Sequence, residues 1–342
     1  MSIKVPQPDN PIILEGLWGL GKSQLAHAYS HKYNYELVSE PLHTNHPESK
    51  VFKDLSDWYV KAHKKQEFYL NKSLPVIMER SILSTFAFLY ALKRPVPHHL
   101  YISSFQHLIE NKKILVVYLK FNEDFSSWEH EDLKRYSDDI QEILTKKEVR
   151  ARYQEWYEKI LPQKYGILPF QLRVSKRGIR RETNKLINDI YLALACNRIA
   201  QINTVCFKKA SIKEEMQILI LKRSINKGNF FQTVTGGIHI GESPLNAAIR
   251  ETSEELGIPK EAINPFWTPL TYSFMGDDGY ELDEYVFGCE INDPSFIHIS
   301  KEHDSFEWVN IDQAKQMVKF ENNKNAINEV YKKIGQLNEE LP

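Results

Sequence analysis

Over the first half of the chain, apolar residues come in short runs separated by stretches of helical spacing. Ile12 to Leu14 reads as a buried strand that feeds a glycine-rich turn, and "SQLAHAYSHKY" continues it as a helix. "YELVSEP" is a second strand, stopped by Pro41. Phe52 to Leu70 carries apolar and aromatic residues at helical spacing; "LPVIMERS" and "KKILVVYLKF" are a third and a fourth strand. Strands separated by helices predict a parallel α/β sheet. The stretch from Trp128 to Leu161 is charged and helical, and "RRETNKLINDIYLALACN" closes this half as a helix with Leu186, Ile187, Ile190, Tyr191 and Leu194 on one stripe.

The texture changes near Asn197 to Gln201. "IAQINTVCFKK" and "MQILILKRS" read as strands joined by a polar turn, and "FWTPLTYSF" and "ELDEYVFGCEI" as strands around the loop "MGDDG". "FEWVNIDQAKQMV" passes from strand to helix, and "ENNKNAINEVYKKIG" is a terminal helix. The expected division is a domain over 1–198 and a second over 199–342, in keeping with a chain of 342 residues.

Composition narrows the functional classes. Hydrophobic residues make up 42% and charged residues 26%, an ordinary globular balance. The formal charge of −1 gives no field to recruit a nucleic-acid polymer or an anionic membrane. No apolar run reaches the roughly 20 residues of a membrane span, and the polar start "MSIKVPQPDN" is unlike a signal peptide. Cys196, Cys206 and Cys289 are too scattered for a disulfide framework or a zinc cluster. The expectation is a cytoplasmic protein that acts on small molecules, with a homodimer open to it.

Gly16, Gly21, Lys22 and Ser23 fit G-x-x-x-x-G-K-[ST], with Gly19 inside the loop. Glycines suit such a loop because successive backbone N–H groups must turn inward onto phosphate oxygens. Lys22 would reach the β/γ-phosphates, Ser23 would bind Mg²⁺, and the following helix would add its dipole. Glu40 lies eighteen residues after Lys22 in "VSEP", and "VIMERS" sets Glu79, Arg80 and Ser81 at the end of the third strand. Strand ends of such a sheet converge on one crevice.

With these segments the N-terminal half, roughly residues 10–195, resembles the deoxynucleoside kinase and thymidylate kinase group. The resemblance implies a P-loop kinase-like parallel sheet with flanking helices and ATP as phosphoryl donor. It implies that Glu40 takes a proton from the acceptor hydroxyl, Arg80 steadies the transferring phosphoryl and Glu79 helps hold Mg²⁺. A strand-end carboxylate capping a neighbouring helix is the other reading of Glu40. The arginine-rich lid of that group is thin here, with Arg135, Arg150 and Arg152 among many acidic residues. The tryptophan that often follows the E-P pair and the arginine after E-R-S are absent. Asp57 and Tyr59 could face an acceptor base or simply form a solvated face and core.

The second motif is Gly236, Glu242, Arg250, Glu251, Glu254, Glu255, Gly257 and Ile258, in the pattern G-x5-E-x7-R-E-U-x-E-E-x-G-U. Such a match arises by chance about 10⁻⁹ to 10⁻⁸ times per start position. Ser243 is a good N-cap, Pro244 a good first helical residue and Gly257 a left-handed terminator, so the helix should span Pro244 to Leu256. Glu251, Glu254 and Glu255 then share one face and repel one another unless a cation sits among them, and oxygen ligands favour Mg²⁺ or Mn²⁺. Leu245, Ala248, Ile249, Thr252 and Leu256 form the stripe expected to pack on the sheet.

The segment is similar to the Nudix hydrolases over about residues 200–340. That resemblance implies an α/β/α sandwich, a metal-dependent cleavage of phosphoanhydrides, and an Arg250 that orients Glu254 by a bidentate contact. A further metal carboxylate would come from Glu302 in "KEHDSFEWV", with Glu307 as competitor. "FFQTVTGG" and "FENNKNAI" resemble the subgroup acting on dihydroneopterin triphosphate and (deoxy)nucleoside triphosphates. Phe231, Gln232 and Asn325 would then line a base or pterin pocket. Together the motifs predict a bifunctional enzyme of nucleosides and nucleotides; the alternative is a Nudix hydrolase with a non-catalytic nucleotide-binding domain.

Overall fold

The computed structural model describes residues 9–41, 55–72, 74–96, 99–121, 138–208 and 216–339. They fall into two units, Met1–Asn197 with Asp277–Tyr280, and Arg198–Gly276 with Glu281–Pro342.

The first unit begins with strand β1 (Ile12–Glu15), helix α1 (Lys22–Tyr33), β2 (Glu36–Val38), α2 (Leu55–Leu70) and β3 (Val76–Glu79). It continues through α3 (Ile82–Ala91), α4 (His99–Lys112), β4 (Leu115–Lys120), α5 (Asp138–Thr145), α6 (Lys147–Glu155), a π-helical turn over Trp156–Ile160 and α7 (Leu161–Tyr165). β5 (Phe170–Arg173), a small hairpin of β6 (Ser175–Lys176) and β7 (Ile179–Arg180), and α8 (Thr183–Ala195) complete it. The sheet runs β2-β3-β1-β4-β5 with every pair parallel. β1 lies in its middle, and Ile12, Ile13 and Leu14 are fully buried, which is why this strand reads as an unbroken apolar run. The glycine loop therefore leaves the sheet at the carboxyl end of the central strand, where open α/β sheets place their ligands.

The expected parallel sheet is present, with a fifth strand and two helices, α3 and α4, that the apolar pattern did not separate. In α3 all but two of the ten residues are buried, so it lacks the polar face that marks an amphipathic helix. Arg135, with the rest of 122–137, lies outside the described residues, as does the side chain of Asp57.

The second unit holds β8 (Ala200–Lys208), β9 (Gln217–Arg223), β10 (Phe231–Gln232), β11 (Val234–Ile238) and α9 (Pro244–Leu256). β12 (Pro265–Met275), β13 (Glu281–Glu290), β14 (His303–Asn310), α10 (Ile311–Met317) and α11 (Glu321–Glu339) follow. These strands form one seven-stranded mixed sheet in which β8 and β13 are parallel and the other pairs antiparallel. Successive residues of β8 serve opposite faces. Val205 and Phe207 join Ile218, Ile220 and Val286 against Ala326, Ile327 and Val330 of α11, whereas Cys206 lies against Thr252 of α9. No described helix is long and apolar enough to cross a membrane.

Candidate active site

Helix α9 begins and ends where its sequence signals stand. The Ser243 side chain accepts the Asn246 N–H, Pro244 fills the first turn, and Gly257 closes the helix with φ 67°. Its buried face differs from the expected stripe: Leu245 is 42% exposed, while Ala247 and Glu255 join Ala248, Thr252 and Leu256 inside. The helix is rotated so that a carboxylate, Glu255, points inward.

Arg250 organises the acidic cluster. Its Nε and Nη2 donate to Glu242 Oε1 and Oε2 at 2.8 and 2.9 Å, a bidentate pair. Nη1 donates to Glu251 Oε1 at 2.7 Å and to Glu254 Oε2 at 3.4 Å, and Nη2 also reaches Gly237 O at 2.8 Å. The bidentate partner is thus Glu242 in the loop before the helix, not Glu254. Burial alone would raise the Glu242 pKa, but Arg250 and the His239 N–H outweigh it and hold the carboxyl below its ordinary value. Glu251 goes the other way: burial raises it, Arg250 opposes, and Glu254 and Glu242 add repulsion.

Glu255 is 7% exposed, and its Oε2 has no hydrogen-bond partner among the described residues. Burial, then Glu251, pushes its pKa well above the ordinary carboxylate range, with Glu302 and Glu254 adding to this and Arg223 opposing. Glu302 therefore lies within the field of the cluster; it pairs with Arg223 Nη2 at 3.2 Å and Lys227 Nζ at 3.8 Å. Its competitor Glu307 is exposed on β14, opposite Ile220.

Among the described residues no group of three or more His, Cys, Asp or Glu side chains is already gathered as a metal cage, because Arg250 draws Glu251 and Glu254 to itself. The donor set nevertheless fits a hard divalent cation. A buried carboxylate oxygen without a partner, flanked by further carboxylates, is costly unless a cation or proton satisfies it. Glu251, Glu254, Glu255 and Glu302 are the residues that would hold it.

Of the residues suggested for a heterocycle pocket, Gln232 is buried and bonds Thr235 Oγ1 at 3.1 Å, while Phe231 and Asn325 are half-buried, Phe231 against the core cluster.

In the first unit the glycine loop closes around Lys22, whose Nζ donates to Gly16 O at 2.9 Å and Leu17 O at 2.7 Å. Burial, then Arg80, lowers the Lys22 pKa well below its usual value against the pull of Glu40, Glu15 and Glu79. Ser23 Oγ donates to Glu79 Oε2 at 2.6 Å, so the two groups expected at one Mg²⁺ stand together. Arg80 adopts a left-handed backbone with φ 66° and is 1% exposed. Its Nε donates to Glu40 Oε2 at 2.9 Å, its Nη1 to Ser84 Oγ at 3.2 Å and Tyr153 OH at 3.4 Å, and its guanidinium lies 4.3 Å from the Trp18 ring centroid. The remaining nitrogen, Nη2, is buried without a partner among the described residues.

Glu40, Glu79, Arg80, Lys22 and Ser23 are thus brought to one end of the sheet. The lid arginines are not: Arg150 Nη1 donates to Leu144 O at 2.6 Å and Arg152 Nε to Ala91 O at 2.7 Å. The sequence reading passed over Glu15, fully buried at the mouth of the loop, where it accepts from Ser81 Oγ at 2.6 Å, from Ser84 and from Tyr157 OH at 2.9 Å. A charged residue ending an apolar strand was the available signal.

Residues 210–332 match the family model described as NUDIX domain. A dihydroneopterin triphosphate diphosphatase of Haemophilus influenzae is 31% identical over 127 residues, 34% of this chain and 78% of that protein. An RNA pyrophosphohydrolase of Campylobacter jejuni is 33% identical over 118 residues, 30% of this chain and 72% of that protein. An octanoyltransferase of Myxococcus xanthus is 30% identical over 112 residues, but the chain spans only 30% of its length.

Proposed function

The chain belongs to the NUDIX family, and from that membership we propose that its second unit hydrolyses the phosphoanhydride of a small triphosphate to a monophosphate and pyrophosphate. The substrate class is a (deoxy)nucleoside triphosphate or a pterin counterpart, in line with the similarity to a dihydroneopterin triphosphate diphosphatase. The observation that carries this reading is the unpartnered buried oxygen of Glu255 beside Glu251 and Glu254.

Lewis-acid polarisation of the diphosphate is the chemistry a bound Mg²⁺ or Mn²⁺ supplies there. Arg250, anchored on Glu242, sets the direction of Glu251 and Glu254. Glu254, whose side chain is 58% exposed against 14% for Glu251, takes the proton of the attacking water. The test is pyrophosphate release from a panel of nucleoside triphosphates and dihydroneopterin triphosphate, with Mg²⁺ or Mn²⁺. No release from any of them by the wild-type protein would end this reading, and Glu254→Gln should abolish the release that is seen.

For the first unit the reading is a P-loop, kinase-like fold that transfers the γ-phosphoryl of ATP to a nucleoside or nucleotide. Lys22 and the loop cradle phosphates, Ser23 and Glu79 face the cation, Arg80 bears on the transferred group and Glu40 accepts the acceptor proton. The contacts of Arg150 and Arg152 with backbone carbonyls favour a second reading, a module that binds ATP without turnover. Incubation with ATP and a panel of acceptors separates them: Lys22→Ala abolishes transfer in the first, and only binding in the second. Either way it leaves pyrophosphate release intact.

A further inference from the structure

We propose that Arg180 is the cation that closes the phosphate site of the first unit, and that this unit consequently selects a nucleoside triphosphate over a monophosphate. The proposal rests on the reading of the glycine loop as a nucleotide cradle and adds a residue and a selectivity to it.

Arg177 and Gly178 have φ 52° and 76°, the left-handed pair of a two-residue hairpin turn. The turn pairs Ser175 with Arg180 and Lys176 with Ile179. It thereby returns Arg180 to the loop: a Cβ on Gly21 would stand 1.9 Å from Arg180 Nη2. Gly21 has φ 80° and caps α1 without a side-chain bond, so any other residue there would be strained as well as displaced into the guanidinium.

Arg180 is exposed, so water serves its guanidinium until an anion takes that place. Nη2 makes only long contacts, 3.4 Å to Leu20 O and 3.5 Å to Gln24 Oε1, at the outer edge of hydrogen bonding. It stands beside the positive end of α1 and one residue from Lys22, and buried Arg80 lies in the field of the same lysine. The carboxylates in the field of Lys22 are already engaged: Glu15 with Ser81, Ser84 and Tyr157, Glu40 with Arg80, and Glu79 with Ser23. Arg80 Nη2 has no hydrogen-bond partner among the described residues. Lys22 with Arg80 in its field and Arg180 against Gly21 set three cations about the glycine loop and suit a ligand of several negative charges, which an oligophosphate supplies and a monophosphate does not. Arg180 thus fills the role that Arg150 and Arg152, held by carbonyls, do not.

The experiment measures binding of Mg·ATP, ADP and AMP to the full-length protein by calorimetry, for wild type, Arg180→Gln and Arg180→Lys. Loss of one charge-assisted contact predicts ATP binding weakened by about tenfold or more in Arg180→Gln. AMP binding should change little, Arg180→Lys should recover part of the loss, and pyrophosphate release should stay at the wild-type rate. Equal ATP affinity in wild type and Arg180→Gln overturns the proposal, as does an equal loss for ATP and AMP, which would mark Arg180 as structural. A wild-type protein that binds none of the three overturns the cradle reading itself.

Discussion

Gly236 and Glu251 compete for one volume: a Cβ on Gly236 would stand 1.9 Å from the Glu251 carboxyl carbon and within 2.3 Å of both its oxygens. Gly236 pairs with Ile202 on β8, so the strand cannot easily retreat. Gly236→Ala should therefore push the Glu251 carboxylate aside and cut pyrophosphate release by about 10- to 100-fold, the scale seen when metal-site geometry is disturbed. The thermal transition should move little. Unchanged release at saturating Mg²⁺ would show that the position of Glu251 is immaterial.

The contact between Arg250 and Glu242 leads to a second expectation. Glu242→Gln keeps the shape but removes the charge that anchors Nε and Nη2. Arg250 would then compete more strongly for Glu251 and Glu254, so the concentration of Mg²⁺ giving half-maximal activity should rise by about 10- to 100-fold. A metal titration of activity is the check, and an unshifted midpoint would remove Glu242 from the account.

The same contact shows where the sequence was legible and where it was not. The limits of α9 could be read because Ser243, Pro244 and Gly257 each act on the backbone within a turn. The common face of Glu251, Glu254 and Glu255 followed from the helical period alone. The Arg250–Glu242 pair crosses from helix to loop, so no period reports it, and the Nudix resemblance implied Glu254 as the bidentate partner instead. Leu245 was placed inside because it is apolar, yet the rotation of α9 is set by the sheet, which takes Ala247 and Glu255 instead. In the first unit the loop was visible through its glycines. The engagement of Arg150 and Arg152 by carbonyls and the approach of Arg180 to Gly21 depend on chain paths that no local pattern encodes.

His63 provides a prediction about pH. It is 3% exposed on α2, stacks on Tyr59 at 6.0 Å, meets Gln66 Oε1 at 3.3 Å and feels Glu40 and Arg80. Burial lowers its pKa from 6.5 to about 4, with Glu40 and Gln66 opposing the shift and Arg80 adding to it. Between these values the unfolded chain binds the proton and the folded one does not, so stability is present above pH 6.5 and drains away as the pH falls toward 4. The loss is about 3 kcal/mol at most. Urea unfolding from pH 7 to 4.5 should show a shallower decline for His63→Leu than for wild type. Parallel declines would show that His63 titrates normally.

Asn323 tests whether polar residues inside the second unit hold its fold. Its Nδ2 donates to Thr233 Oγ1 at 2.8 Å, and Thr233 donates in turn to Asn203 Oδ1 at 2.6 Å. Asn203 Nδ2 reaches Glu284 Oε1 at 3.1 Å and Gln201 Nε2 reaches Glu284 Oε2 at 2.6 Å, so the chain ties α11 to β8 and β13. Asn323, Thr233, Asn203 and Glu284 are all buried, and removing a donor there leaves an acceptor without water to replace it. Asn323→Ala should cost about 1–3 kcal/mol in urea unfolding. The half-buried Asn325, singled out by sequence, should tolerate alanine within about 0.5 kcal/mol. Equal effects at the two positions would mean that the buried chain of hydrogen bonds contributes nothing beyond its packing.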